Sequence, residues 1–257
     1  MPSHLGRPKP ESWANYKLRS RRKIWLPFFW VERTWEWVAY ALSNWAFLEA
    51  LEHIGKFSVL FAVIYYVYEA PDRAKQKHYQ AWQVINTAQG KGGSGGRMDA
   101  LQELNHDHVS LVGVNAADAF LMGVRLEKAQ LNRADLSGAD LRDGRLSEAD
   151  LQFANLAGAN LRGAKLRAVN LEHADLSDAD LYESVLAGAR MAGANLARTD
   201  LRQCDLAGIN WKDIAGIELA NVVDVKNAPS GFVEWALQHG AVSIESDEEW
   251  LRRMTVQ

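Results

Sequence analysis

Between Leu111 and Trp211 an apolar residue returns at every fifth position. Leucine fills 18 of the 21 places, and Ala116, Met191 and Trp211 fill the others. Two positions before each stands a small or β-branched residue, alanine in 12 cases, often with Asp or Asn between, as in Ala134-Asp135-Leu136 and Ala159-Asn160-Leu161. No ordinary element uses this period. Five residues of α-helix advance about 500°, which scatters the leucines around the axis. On a single strand an odd spacing sends alternate leucines to opposite faces. The pattern fits a chain in which each pentad forms one side of a coil and turns two side chains inward.

These tandem Ala-(Asp/Asn)-Leu-X-X units resemble the pentapeptide-repeat proteins over about 100 residues. The resemblance implies a right-handed, four-sided β-helix in which residues four pentads apart stack, making a rod roughly 25 Å long at the inter-strand spacing. Leu121, Leu141, Leu161, Leu181 and Leu201 then form one core stack, with Ala139, Ala159 and Ala179 leaving room for it. Such a coil needs closed ends. Residues 97–104 read as a helix capping the first coil. Residues 229–239 read as a second cap, stopped by Gly240, with Phe232, Trp235 and Leu237 over the last coil. A short helix is expected over 247–254. The rod with its first cap occupies 97–220, and the closing helices occupy 221–257.

The first half is differently composed: six of the ten tryptophans lie between Trp13 and Trp45. Residues 1–32 are basic, with Arg19, Arg21, Arg22 and Lys23 in one run. No apolar core with a small-residue cleavage site follows that run, so it does not read as a signal peptide. From Arg33 to Glu69 proline is absent, which predicts a long helix. Glu49, Glu52, His53 and Lys56 form a charged belt in its middle. Residues 57–68 carry no charge, and the apolar helix is set at about 54–69. Phe57, Val59, Leu60, Phe61, Val63, Ile64, Tyr65, Tyr66 and Val67 are the candidate membrane anchor. A helix apolar all round is not a surface helix, and the flanking Trp, Tyr and basic residues suit headgroup belts. The stretch is nonetheless short against the roughly 20 residues a span requires. A single span, a re-entrant hairpin and the core of a helical bundle all remain open, as does the side on which the rod sits. Pro71 opens a further helix, about 72–88, with Ala74, His78, Ala81, Trp82 and Ile85 on one face; the helical region as a whole is 33–89. Residues 90–96 hold five glycines and read as a flexible linker.

Net charge is −3, so no whole-chain basic field argues for nucleic acid. Cys204 is the only cysteine; it falls at a small inward position and reads as a buried thiol. His106-Asp107-His108 lacks the further ligands of a metal site. No nucleophile elbow, zinc-protease motif or dinucleotide fingerprint occurs. No catalytic, cofactor or metal residues are assigned, and an enzyme is not expected. The repeated Asp and Asn read as residues a wall position tolerates.

Outward residues sort into columns. Arg125, Arg142, Arg145, Arg162, Lys165, Arg167 and Arg202 gather as a basic edge that could face anionic lipid or an acidic partner. Residues 111–220 hold 12 Lys/Arg against 16 Asp/Glu. The expectation is a non-enzymatic, membrane-anchored interaction or scaffold module at a bacterial inner membrane, with an unidentified protein partner and possible self-association through the first helices. One alternative is a soluble gyrase modulator, because some pentapeptide-repeat proteins are acidic mimics of duplex DNA. Another is an oligomeric helical channel or signalling element regulated by the rod.

Overall fold

The computed structural model describes residues 7–12, 15, 26–43, 46–87 and 96–255. The basic run Arg19–Lys23, Trp45 and the glycines at 90–95 lie outside the described residues. The chain divides into two compact units, Met1–Arg73 and Ala74–Gln257.

In the first unit the described residues of the apolar region fall in two helices, α1 (Leu26–Ser43) and α2 (Ala46–Tyr68). α1 begins ahead of Arg33. Pro27 lies in its first turn, where an amide would have no intrahelical acceptor. In α2 every residue from Phe57 to Tyr68 is exposed, the large apolar ones by 53–79 %. At about 100° per residue these twelve positions cover the whole circumference of the helix. The transmembrane expectation is not met: no described helix is long and apolar enough to cross a membrane. The physical reason is the charged belt. It leaves an uncharged stretch roughly 18 Å long against a hydrocarbon core of about 30 Å.

The second unit is built on the pentads. Residues 20 apart pair as parallel bridges, from Asn115 with Asp135 through Arg190 with Asn210. Each coil therefore contains four five-residue sides. The first face carries the inward residues Leu131, Leu151 and Leu171, and the second Leu136, Leu156 and Leu176. The third carries Leu141, Leu161, Leu181 and Leu201, and the fourth Leu126, Leu146, Leu166, Leu186 and Leu206. These leucines are at most 1 % exposed. Full burial of each contributes about 1.5–3 kcal/mol, and together they make the core.

Each corner is a tight turn closed by a backbone bond, such as Val114 N to Leu111 O at 3.1 Å or Ala139 N to Leu136 O at 3.1 Å. The third residue of the turn has positive φ at every pentad from Gly113 to Gly208, as a type II turn requires. Many of these positions hold other residues than glycine, for instance Phe153, His173 and Arg198. Amides of neighbouring coils pair throughout, as in Leu141 N to Asn160 O at 2.7 Å, so the left-handed turns are held by bonds on both sides.

Counting leucines stops at Trp211, but the ladder continues. Asn195 pairs with Gly216, Asp200 with Asn221 and Asp205 with Lys226, each 21 residues apart. One extra residue sits between Trp211 and Ile217, after which Ile217 and Val222 resume the buried column.

Both ends are closed. Helix α3 (Ala70–Thr87) crosses the division between the units, and its later part buries Ala81 and Ile85. Helix α4 (Arg97–His106) sets Leu101 and Leu104 on the first coil with no exposure. Its polar side chains replace a missing coil: Gln102 Oε1 accepts from Arg125 N at 2.9 Å, and Asn105 Nδ2 donates to Glu127 O at 3.1 Å. An open ladder edge would otherwise leave such groups unpaired. At the far end, helix α5 (Phe232–Gln238) packs Phe232 and Trp235 on Trp211, at ring distances of 5.9 and 5.3 Å. Ala236 is buried there, whereas Leu237 is 45 % exposed and does not cover the coil. Helix α6 (Asp247–Thr255) is pinned by Trp250, whose Nε1 donates to Leu219 O at 2.9 Å.

Candidate interaction surfaces of the rod

The repeated Asp and Asn do more than occupy a tolerant wall position. Their Oδ1 atoms accept from the amide two residues on, as in Asp135 to Ser137 N (3.2 Å), Asn155 to Ala157 N (3.1 Å), Asp180 to Tyr182 N (3.0 Å) and Asp200 to Arg202 N (3.0 Å). These are Asx turns, which hold the corner from outside. Residues 151–170 contain no Asp or Glu, and Asn155, Asn160 and Asn170 fill their Asx positions. Asn155 Nδ2 donates to Asp135 Oδ1 at 3.2 Å and Asn170 Nδ2 to Asp150 Oδ1 at 2.9 Å. A coil with neutral Asx residues thus separates carboxylates that would repel if stacked directly.

The third face departs from that spacing, because Asp180 and Asp200 follow one another in the ladder. Arginines compensate. Arg162 Nη1 bonds Asp180 Oδ2 at 3.2 Å, and Arg202 grips Asp200 with Nε at 2.9 Å and Nη2 at 2.6 Å. Arg142 holds Asp140 through two bonds of 2.8 and 2.6 Å. The hydrogen bonds from Arg142 hold the Asp140 carboxyl below the usual carboxylate range, and bonding to Asp140 raises Arg142 in turn. Bonding to Asp200 likewise raises Arg202, against a lowering by burial. Tyr182 lies between Arg162 and Arg202, 4.3 and 5.7 Å from their guanidinium carbons, and Trp250 lies 5.4 Å from Arg202. Arg202 also reaches Asp247 of α6 at 2.6 Å. A cleft of about 310 Å³ opens here, lined by Arg162, Arg198, Arg202, Asp247, Trp250 and Met254 among others. Arg198 is committed to Asp178.

The basic edge therefore separates into two kinds of cation. Arg142, Arg162 and Arg202 neutralise carboxylates of the third face. Arg145 bonds Glu127 at 3.1 Å. Arg125, Lys165 and Arg167 are exposed and have no carboxylate partner among the described residues. All three stand on the fourth face, where Arg125, Arg145 and Lys165 occupy successive positions that carry Asx residues elsewhere.

Two further features emerge from the packing. On the first face Arg133, Phe153 and His173 stack outward; the Phe153 and His173 rings are 4.9 Å apart and inclined by 9°. Next in that column, a Cβ on Gly193 would meet His173 Nδ1 at 2.3 Å, so the imidazole occupies the space glycine leaves. Asp107 meets His78 Nε2 at 2.8 Å, tying α3 to the end of α4, and this bond lowers the Asp107 carboxyl. Cys204 is buried, donates to Leu181 O at 2.8 Å, and its thiol is pushed up to about 12, chiefly by burial. That removes thiolate chemistry near neutral pH.

The pentapeptide-repeat family model matches residues 107–143, 145–181 and 174–210, in eight copies. The rod is a pentapeptide-repeat domain, and such domains form right-handed quadrilateral β-helices. Among solved structures, the chain is similar to HetL, a pentapeptide-repeat protein involved in heterocyst differentiation regulation in the cyanobacterium Nostoc. Identity is 31 %, over 46 % of this chain and 49 % of HetL, with a TM-score of 0.39; the chain thus spans about half of HetL. It is similar to a pentapeptide-repeat protein of the Arabidopsis thaliana thylakoid lumen at 24 % identity, covering 50 % of this chain and 87 % of that one, with a TM-score of 0.31. It also resembles QnrB1, a plasmid-mediated fluoroquinolone resistance protein, at 14 % identity, covering 57 % and 83 %, with a TM-score of 0.27. No curated protein matches the chain.

Proposed function

We propose that the chain is a non-enzymatic interaction module whose rod presents a rigid outer ladder, held at a membrane by insertion of the apolar end of α2 into the lipid. The observation carrying the membrane part is the exposure of Phe57 to Tyr68 around the full helix circumference. A single packed neighbour covers one side of a helix and leaves the rest in water, whereas lipid surrounds it. The interaction part rests on the leucine-filled core, which leaves no interior cleft, and on outward columns fixed at both ends by caps. The acidic DNA-mimic reading has less support, because the carboxylates of the third face are matched by arginines.

Flotation of the full chain with neutral phosphatidylcholine vesicles tests the proposal. Wild type should rise with the vesicles, and Phe61→Asp combined with Ile64→Asp should remain at the bottom. The membrane reading is overturned if wild type stays down as a fixed oligomer that the same two changes dissociate. That outcome would make α2 the centre of a helical bundle.

A further inference from the structure

The rod's cations that lack carboxylate partners are not spread evenly. Among the described residues from 111 to 226 six cations have none, Arg125, Arg133, Lys165, Arg167, Lys212 and Lys226, and four of them, Arg125, Lys165, Arg167 and Lys226, lie on the fourth face. Arg133 lies over the Phe153 ring on the first face, and Lys212 lies in the segment with the extra residue. The fourth face is also where Arg125, Arg145 and Lys165 replace the Asx residue in three successive coils, giving up the turn-holding bond that this face regains only at Asp205. Within residues 151–170 no carboxylate offsets Lys165 and Arg167.

Around Lys165 and Arg167 the surface is smooth: Ala168, Gly188, Ala207 and Gly208 form the outward turns nearby, while Arg125 stands at the capped end in a concavity with Gln102, Asn105, His106 and Glu127. A specific protein interface centres on large aromatic anchors in well-packed pockets and is depleted in lysine. A flat array of uncommitted Lys and Arg suits a diffuse plane of anions.

We infer that the fourth face of the rod docks on an anionic lipid leaflet through Arg125, Lys165, Arg167 and Lys226. The inference deepens the membrane reading, since the same chain carries the apolar helix, but it makes a separable claim: binding by α2 needs no lipid charge, and binding by the fourth face does.

The test uses the full chain and phosphatidylcholine vesicles of rising phosphatidylserine content. Wild-type binding should strengthen with phosphatidylserine and weaken with salt. With each basic residue near such a surface contributing about 1 kcal/mol, Lys165→Glu with Arg167→Glu should weaken binding to serine-rich vesicles about tenfold or more. Its binding to pure phosphatidylcholine and its melting temperature should not change, because neither side chain has a carboxylate partner to lose. Lys212→Glu with Arg253→Glu, the same charge change elsewhere, should behave as wild type. Equal phosphatidylserine dependence in wild type and the fourth-face variant overturns the inference. So does a variant defect seen only on immobilised polyglutamate, which would assign the face to an acidic protein. Loss of phosphatidylcholine binding alone, with the serine response intact, removes the α2 reading and leaves this one standing.

Discussion

The third and fourth faces of the rod are both rich in arginine and differ in what the arginines answer to. On the third face each one is matched to a carboxylate of the ladder: Arg142 to Asp140, Arg162 to Asp180, Arg202 to Asp200. On the fourth, Arg125, Lys165 and Arg167 replace or flank the Asx positions and are left facing solvent. The same residue type therefore repairs the fold on one side and is available for recognition on the next. Charge alone does not mark a binding surface; the lipid proposal rests instead on charge in excess of what the ladder consumes.

The sharpest break in this comparison is Arg202→Ala. The pair is mostly shielded, with side-chain exposures of 12 % for Arg202 and 6 % for Asp200, and removing one partner leaves a carboxylate without its countercharge. A loss of about 3 kcal/mol is expected, seen as a lower denaturant midpoint by circular dichroism. A loss no larger than that of Lys165→Ala would collapse the distinction between the faces.

A smaller effect is expected from Asn160→Asp, which sets four carboxylates in succession from Asp140 to Asp200 on the third face. About 1–2 kcal/mol should be lost. Lys165→Asp, in the same coil on the fourth face, should cost little, since it supplies an Asx acceptor beside Arg145. Equal costs would show that ladder repulsion is not what Asn160 relieves.

The smallest effect concerns pH. Arg142 lowers the Asp140 carboxyl, so its contribution is complete above the unfolded carboxylate value near pH 4 and disappears as pH falls through the lower folded value. Arg142→Ala should be only slightly less stable than wild type at neutral pH, because the arginine is half exposed and its pairing is screened by water. The two stability curves should converge in acid. A constant gap at all pH values would assign the loss to packing.

The five-residue period was enough to read the coil, the core leucines and the need for caps, because burial acts directly on the identity of every fifth side chain. Columns such as Arg162, Tyr182 and Arg202 could also be read, since residues 20 apart must stack. The division within the basic edge was not legible: telling Arg142 from Lys165 requires knowing which carboxylate lies within bonding reach, and the period carries no such distances. A closer count would have shown the third coil empty of Asp and Glu. The resumption at Ala215-Gly216-Ile217 and Ala220-Asn221-Val222 was visible in principle, one residue out of phase. The place of Trp250 was not, because it depends on how a tail helix folds back on the rod. In the first unit, a helix hydrophobic all round was evident, and its failure to reach spanning length follows from the charged belt.

The two caps also set a rule for how such a chain can change length. Gln102 and Asn105 close the first coil on the fourth face, while Asp247 and Trp250 close the last against the third. Gain or loss of one pentad would turn one cap by a quarter revolution relative to the other and deliver each to the wrong side chains. Only steps of a whole coil keep the ends in phase, so the distance between the caps is adjustable in increments, and the angle between them is not adjustable at all.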